Sequence, residues 1–539
     1  MAIFTGMENL TIIILLLFGI SFLGILSHKY KFPFPIVLVL CGVVISVIPN
    51  LPVLALSPEI VFIIFLPPLL YGAAWNTSWH DFKSALRPIS LAAIGLVFFT
   101  TIAVAIAAHL LIADISWPLA FLIGAIVSPP DAVAATSVTK GLGLQPRLIA
   151  ILEGESLVND ASGLIAYKYA LTALTAGNFI LWQASLNFVL VAGAGIAIGL
   201  GVAYAMYLVH KKFVCDPVIE VTLTFLTPFA SYLLAEHFHF SGVLAVVATG
   251  LYLSFRQAEI FTHQSRIMVT SVWEVVVFIL NGLIFILIGL QLRSVMAGIS
   301  EYSTPSLILW GLAISLVVIV VRFIWVFPAA MIPRFLSKRI REKEPFDVRN
   351  LVVMGWSGMR GVVSMAAALA LPLTLKDGNV FHHRSLVIYL TFCVILSTLV
   401  LLGLTLPLII RLLKLKSYSI VAEEYEVRTR VVTHTITHIE DNLSLIQDEL
   451  LRNIKSKYEV KYNRLQKTDL PSNYFGKGTT LAGSVFNEFT QLQIDLINVE
   501  RKTLEQMHRK GETSQEILRK IERELDLEET RLSMEMYEG

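Results

Sequence analysis

Ser128-Pro129-Pro130-Asp131 interrupts one apolar run, residues 117–139, and Gly355-Trp356-Ser357-Gly358-Met359-Arg360-Gly361 interrupts another, residues 348–373. Proline has no backbone N–H to donate and pushes the residue before it out of the helical region. Glycine weakens a helix interior by about 1 kcal/mol relative to alanine. Each stretch therefore leaves unpaired backbone groups in the middle of a segment long enough to cross a bilayer, where irregular backbone survives only inside protein or beside a cavity. Each break also carries a formal charge, Asp131 or Arg360. Interruptions at corresponding places in two halves of a chain point to a binding site near the membrane midplane.

The rest of the chain agrees with a membrane reading. Of 539 residues 55% are hydrophobic and only 15% charged, with a mean hydropathy of +0.71; soluble proteins carry about 25% charged residues. The charges are also displaced to one end. The residues after Lys416 hold 17 Lys and Arg and 22 Asp and Glu, nearly half of the chain's total. A long apolar body with a charged appendage excludes a simple soluble enzyme, a nucleic-acid binder with a basic face and a secreted disulfide scaffold. Cys41, Cys215 and Cys393 all lie in apolar runs, so neither a disulfide framework nor a zinc site is expected.

About thirteen spans are expected, near 9–27, 35–49, 58–75, 88–112, 117–139, 149–174, 180–208, 217–235, 240–255, 270–292, 305–332, 348–373 and 385–414. Six spans, a connecting seventh and six more make two inverted repeats with broken crossing helices. The first run lacks the basic flank and cleavage pattern of a signal peptide. Basic residues concentrate in alternate loops, with Lys29, Lys83, Arg87, Lys140, Arg147, Lys211 and Arg256, and most densely from Arg334 to Arg349. The positive-inside rule then places the N-terminus outside and the tail in the cytoplasm. Domains are expected at 1–415, the transmembrane body, and 416–539, a cytoplasmic helical tail. In that tail Ile436, Ile439, Leu443 and Leu450 recur at helical spacing. Residues 484–509 and 513–536 form further amphipathic runs, and Glu512 to Glu529 reads as a solvated charged face.

An ionisable side chain at mid-membrane costs about 2.5–3.5 kcal/mol on insertion scales and marks a pathway or a pair. Asp131, Glu155, Asp160, Arg322 and Arg360 are the five such residues. Glu155 and Asp160 lie five apart, about 140° around a helix, so they face different partners. Glu155, Arg322 and Arg360 read as structural charges, and Asp160 as the acid free to exchange ligands.

These residues resemble a known family. Gly154-Glu155-Ser156-Leu157-Val158-Asn159-Asp160 is similar to the Gly-Glu-Ser-x-x-Asn-Asp signature of CPA1 monovalent cation:proton antiporters. The likeness extends in order to Leu66-Pro67-Pro68, to Ser-Pro-Pro-Asp, to Arg322 and to Gly-Met-Arg-Gly, over residues 9–415. It implies a sodium/proton antiporter of the NhaP type, a homodimer with a moving six-helix core. Residue by residue, it implies that Asp160 binds cation or proton, with Ser156 as a neutral oxygen ligand and Asn159 shaping the site. It implies a buried Glu155–Arg322 pair, and Asp131 and Arg360 balancing the helix ends at the breaks. The Pro130 carbonyl is available to a hard cation. Two positions depart from the pattern. Gly72 stands where many relatives carry an acid, and Pro130 precedes Asp131 where Thr-Asp-Pro is common.

The expected function is Na⁺ for H⁺ exchange across the plasma membrane by alternating access, one for one and electroneutral, because Asn159 cannot ionise. A K⁺ or Rb⁺/H⁺ exchanger is the alternative within the class, and a cation channel the alternative outside it. No enzyme activity, nucleic-acid partner or cofactor is expected beyond the transported ions, with Li⁺ or K⁺ as further cations. Lys168 reads as snorkelling and Glu274 as an interfacial anchor. His237, His239, His382 and His383 read as solvated, and the sequon at Asn76 as chance.

Overall fold

The helices end and restart where backbone donors run out. A computed structural model describes residues 7–30, 32–48, 61–139, 142–176, 181–213, 216–299, 302–336, 347–374, 381–415, 420–442, 458–459 and 483–538. Leu443, Leu450, Cys215, Lys140 and the basic run from Lys338 to Lys343 lie outside these. Among the described residues the chain is helical, without a β-strand.

The helices that carry the argument are α1 (Met7–Tyr30), α2 (Phe34–Ser46), α3 (Leu66–Asn76), α4 (Val97–Leu111), α5 (Trp117–Val127), α6 (Ala132–Thr139), α7 (Pro146–Ala176), α8 (Leu181–Phe213), α9 (Pro217–His237), α10 (Gly242–Phe255), α11 (His263–Leu290), α12 (Thr304–Leu336), α13 (Val348–Trp356), α14 (Val362–Leu369), α15 (Arg384–Ser397) and α16 (Gly403–Leu412). Three tail helices follow, α17 (Ile420–Asn442), α18 (Gly483–Arg509) and α19 (Gln515–Glu538). Among the described residues seven helical stretches are long and apolar enough to cross a membrane, and α2, α10, α5 and the stretch ending in α3 are shorter apolar helices. Every run read as a span carries helix.

Local irregularities follow from residue chemistry. Pro67 and Pro68 cannot donate, and a π-helical turn, Val61–Phe65, leads into α3. Pro129 and Pro130 separate α5 from α6, and the glycine-rich stretch 357–361 separates α13 from α14. Another π-turn, Thr398–Leu402, joins α15 to α16 beside that break.

The chain divides into two units. The larger comprises Met1–Val214, Thr222–Gln257 and Val272–Lys416. Its core is built from buried faces of α5, α14 and α15, including Leu122, Ile123, Ala366, Ala368, Leu390 and Val394. The smaller comprises Cys215–Val221, Ala258–Ser271 and Ser417–Gly539. Within it, Val427 and Val431 of α17, Ile497 and Leu504 of α18 and Ile517, Ile521 and Leu525 of α19 form one apolar seam.

The tail's charges differ from the expected solvated face. Asp526 is buried and pairs with Arg501 at 2.8 Å and with Arg266. Arg428 bridges Glu424 at 2.8 Å and Glu524 at 2.7 Å. The same pairing explains why α11 starts at His263, ahead of the apolar run read from 270: His263 lies 3.6 Å from Glu529 and Arg266 is neutralised. Helical spacing cannot reveal partners so distant in sequence.

Candidate functional site

The two breaks meet. The backbone N–H of Asp131 donates to the Met359 carbonyl at 2.7 Å, so an orphan donor of one break satisfies an orphan acceptor of the other. The Asp131 carboxylate accepts the backbone N–H of Val133 at 2.8 Å, and those of Ala134 and Val362 as well. These are first-turn donors of α6 and α14, where the helix dipole is positive, so one carboxylate serves two half-helices. Gly361 makes this possible. A Cβ there would lie 1.7 Å from Asp131 Oδ2, in the space the carboxylate occupies.

Arg360 is fully buried in the second break. Its backbone N–H donates to Thr398 Oγ1 at 3.0 Å, and its guanidinium has no hydrogen-bond partner among the described residues. Arg322, from the middle of α12, donates from Nη1 and Nη2 to the two Glu155 oxygens at 2.6 and 3.0 Å. Its Nε donates to the Met354 carbonyl in the last turn of α13 at 3.0 Å. Both side chains are 1–2% exposed, so the pair is dry, bidentate and anchored to a third element.

α7 supplies the facing wall. Asn159 is fully buried and donates from Nδ2 to the Pro130 carbonyl at 3.0 Å, tying α7 to the break between α5 and α6. Asp160 and Ser156 lie four apart, on one face of α7, and open on a cavity of about 210 Å³. Asp131, Pro130 and Ser364 line it too, as does Asn281 of α11. Asp160 is 8% exposed and Asp131 lies close enough for the two charges to interact. The cavity thus offers carboxylate, hydroxyl, amide and carbonyl oxygens, the donor set of a hard cation. Asn159, Glu155, Arg322 and Arg360 do not line it and lie behind its walls.

A family model described as "Sodium/hydrogen exchanger, transmembrane" matches residues 12–412. The chain belongs to this family. Over 413 residues it is 34% identical to the sodium, potassium, lithium and rubidium/H⁺ antiporter of Bacillus pumilus, covering 75% of this chain and 61% of that protein. The chain therefore spans about three fifths of that relative's length. It is 32% identical over 394 residues to the low-affinity Na⁺/H⁺ antiporter NhaS1 of a Synechocystis species, covering 71% of this chain and 69% of the relative. The solved sodium proton antiporter MjNhaP1 of Methanocaldococcus jannaschii shares the fold, with a TM-score of 0.58 at 20% identity over 77% of this chain and 99% of that one.

Within this sodium/hydrogen exchanger fold, the departure at Gly72 has a steric cause. A Cβ at Gly72 would sit 2.8 Å from Val277 Cγ2 and 3.6 Å from Trp273, both on α11. The helices pack through the space an acid would need. Glu153, two turns before Asp160, lines the same cavity, and reading Glu155 and Asp160 alone misses it. The signal was its seven-residue spacing from Asp160, which puts both on one helix face. Lys168 pairs with Glu236 at 3.0 Å on an exposed surface, away from the cavity lining.

Proposed function

We propose that this chain exchanges Na⁺ for H⁺ by alternating access, with Asp160 taking cation or proton in competition. One observation carries the reading: of the two interacting carboxylates Asp131 and Asp160, Asp131 is engaged by backbone N–H groups of two half-helices, whereas Asp160 opens with Ser156 on the cavity. Asp131 serves the helix ends, and Asp160 is the charge that can change ligand. The cation is held by Asp160 and Ser156, with the Pro130 carbonyl contributing its second lone pair beside Asn159. Glu155–Arg322 and Arg360 lie outside the cavity lining and serve the structure around the site. One exchangeable carboxylate means one Na⁺ for one H⁺ and no net charge moved. Competition for the same oxygens makes exchange fall at both acidic and strongly alkaline pH.

The reading extends to a homodimer in the plasma membrane, with the N-terminus outside and residues 416–539 as a cytoplasmic domain, supported by the basic alternate loops. Exchange of K⁺, Li⁺ or Rb⁺ for H⁺ on the same site is the second reading. It is favoured by the name of the Bacillus relative and by a cavity without a carboxylate at position 72.

The test uses purified protein in liposomes, with internal pH followed after addition of Na⁺, Li⁺, K⁺ or Rb⁺. Asp160→Asn should abolish every cation-driven signal while leaving the protein folded. Flux above background in that variant would remove Asp160 from its role. Clamping the voltage with K⁺ and valinomycin checks stoichiometry, since a Na⁺ rate that follows the potential refutes one-for-one exchange.

A further inference from the structure

Three polar side chains of the ion cavity make no hydrogen bond among the described residues: Asp160 of α7, Asn281 of α11 and Ser364 of α14. All three are more than nine-tenths buried, at 8%, 8% and 1% exposed. The rest of the polar lining is engaged. Thr77 and Thr136 donate from Oγ1 to the Ala73 and Val133 carbonyls at 3.0 and 3.4 Å, and Asp131 accepts backbone N–H groups. Asn76, Glu153 and Ser156 each interact within the protein. A buried amide or hydroxyl without a partner forfeits its hydration for nothing in return. One carboxylate and two neutral groups left open on one cavity therefore point to a ligand that answers all three.

Local structure explains why the two neutral groups are open. Ser315 and Ser357 each donate to the carbonyl four residues back in their own helix, at 2.7 Å. Four residues before Ser364 stands Arg360, inside the break, so α14 offers no helical carbonyl there. Asn281 lies one turn beyond Val277, the residue that fills the space beside Gly72. Where the family likeness places an acid on α3, this chain brings up α11, and with it an amide.

We propose that Asn281 and Ser364 complete the coordination of the transported cation, their amide and hydroxyl oxygens joining Asp160, Ser156 and the Pro130 carbonyl. This rests on the reading of Asp160 as the exchanging carboxylate. A hard cation takes oxygen ligands, and both oxygens have lone pairs to give. Both groups are neutral, so they hold the ion without adding a charge to the one-for-one count.

The test is cation-driven pH change in liposomes containing the purified full chain. Asn281→Leu keeps the size of the side chain and removes its oxygen. It should raise the apparent KM for Na⁺ about tenfold, as expected for one contact to a charged group, with kcat within about twofold of wild type. Ser364→Ala should raise the KM about threefold in the same way, and carries the test alone if Asn281→Leu does not fold. Asn281→Asp, which restores an oxygen, should bring the KM back to the wild-type value or below it. A wild-type KM in either folded variant, or an Asn281→Asp protein no better than Asn281→Leu, would overturn the proposal. Asp160→Asn separates this proposal from the reading beneath it. A silent Asp160→Asn beside an Asn281→Leu protein of wild-type KM removes the two neutral ligands alone, whereas flux that survives Asp160→Asn removes both.

Discussion

Asp131 and Gly361 form a single unit in which one residue's carboxylate stands where the other's side chain would be. Gly361→Ala should therefore be far costlier than its size suggests, because Asp131 must leave the first turns of α6 and α14 for the methyl to fit. The expected outcome is loss of exchange in liposomes, with Tm lowered by more than a control Gly→Ala at Gly193, whose Cβ would meet nothing within 4 Å. Arg322 makes a second residue-level case. Removing one member of a buried pair strands the other and costs about 3–5 kcal/mol. Arg322→Ala should lower Tm well beyond Asp160→Asn, and an unchanged Tm would mean that Glu155 is stabilised by something else. These charges were legible in the sequence because formal charges in apolar runs are conspicuous. Glu153 was not singled out, because its seven-residue spacing from Asp160 gains meaning only once both are seen to line one cavity.

Among the elements, the short half-helices matter most. α6 and α14 have eight residues each, and helices of that length are marginal unless their ends are satisfied. Pro129 and Pro130 keep α5 from running on into α6, which preserves the free N–H groups that Asp131 accepts. Replacing both prolines with alanine should extend the helix across the break, withdraw those donors and weaken Na⁺ binding. An apparent KM for Na⁺ raised severalfold or more, with the protein still folded, is the expected result; wild-type kinetics would show that the break persists without its prolines. The breaks themselves were readable from proline, glycine and charge. That they meet through Asp131 N–H and the Met359 carbonyl was not, because such a contact joins residues more than two hundred apart through backbone atoms that are the same in every sequence.

At the scale of the whole molecule, the tail unit carries its own acid–base behaviour. Burial, reinforced by Glu505 and Asp526 and opposed by Arg266 and Arg519, pushes the Glu522 carboxyl up to about 7. The folded unit then holds a proton that the unfolded chain releases near pH 4.5, so stability is greatest below that value and falls as pH rises through about 7, by up to about 3 kcal/mol. Glu529 has the opposite sign. Against the opposing effect of burial, hydrogen bonds from His263 and Arg501 hold it at about 2, so its contribution is lost as pH falls from about 4.5 towards 2. Hydrogen exchange in the full chain, corrected for intrinsic rates, should show residues 515–538 less protected at about pH 8 than at about pH 5.5. Glu522→Gln should remove that difference. Composition alone marked the tail as a separate region. Its inclusion of Ala258–Ser271 was hidden, since the Arg266–Asp526 pair spans 260 residues and has no local signature.

The Glu155–Arg322 pair also sets a timetable for biogenesis. The two residues are 167 apart, and a ribosome adding about 5–20 residues per second needs roughly ten to thirty seconds to cover that distance. For that interval α7 has left the ribosome while its arginine does not yet exist. Asp131 waits longer still for Gly361. The first half of the nascent chain must therefore be sheltered by the insertion machinery, or kept at the water interface, until the second half arrives. A stalled or truncated product ending before α12 should be recognised by membrane quality control as a helix with an unpaid charge.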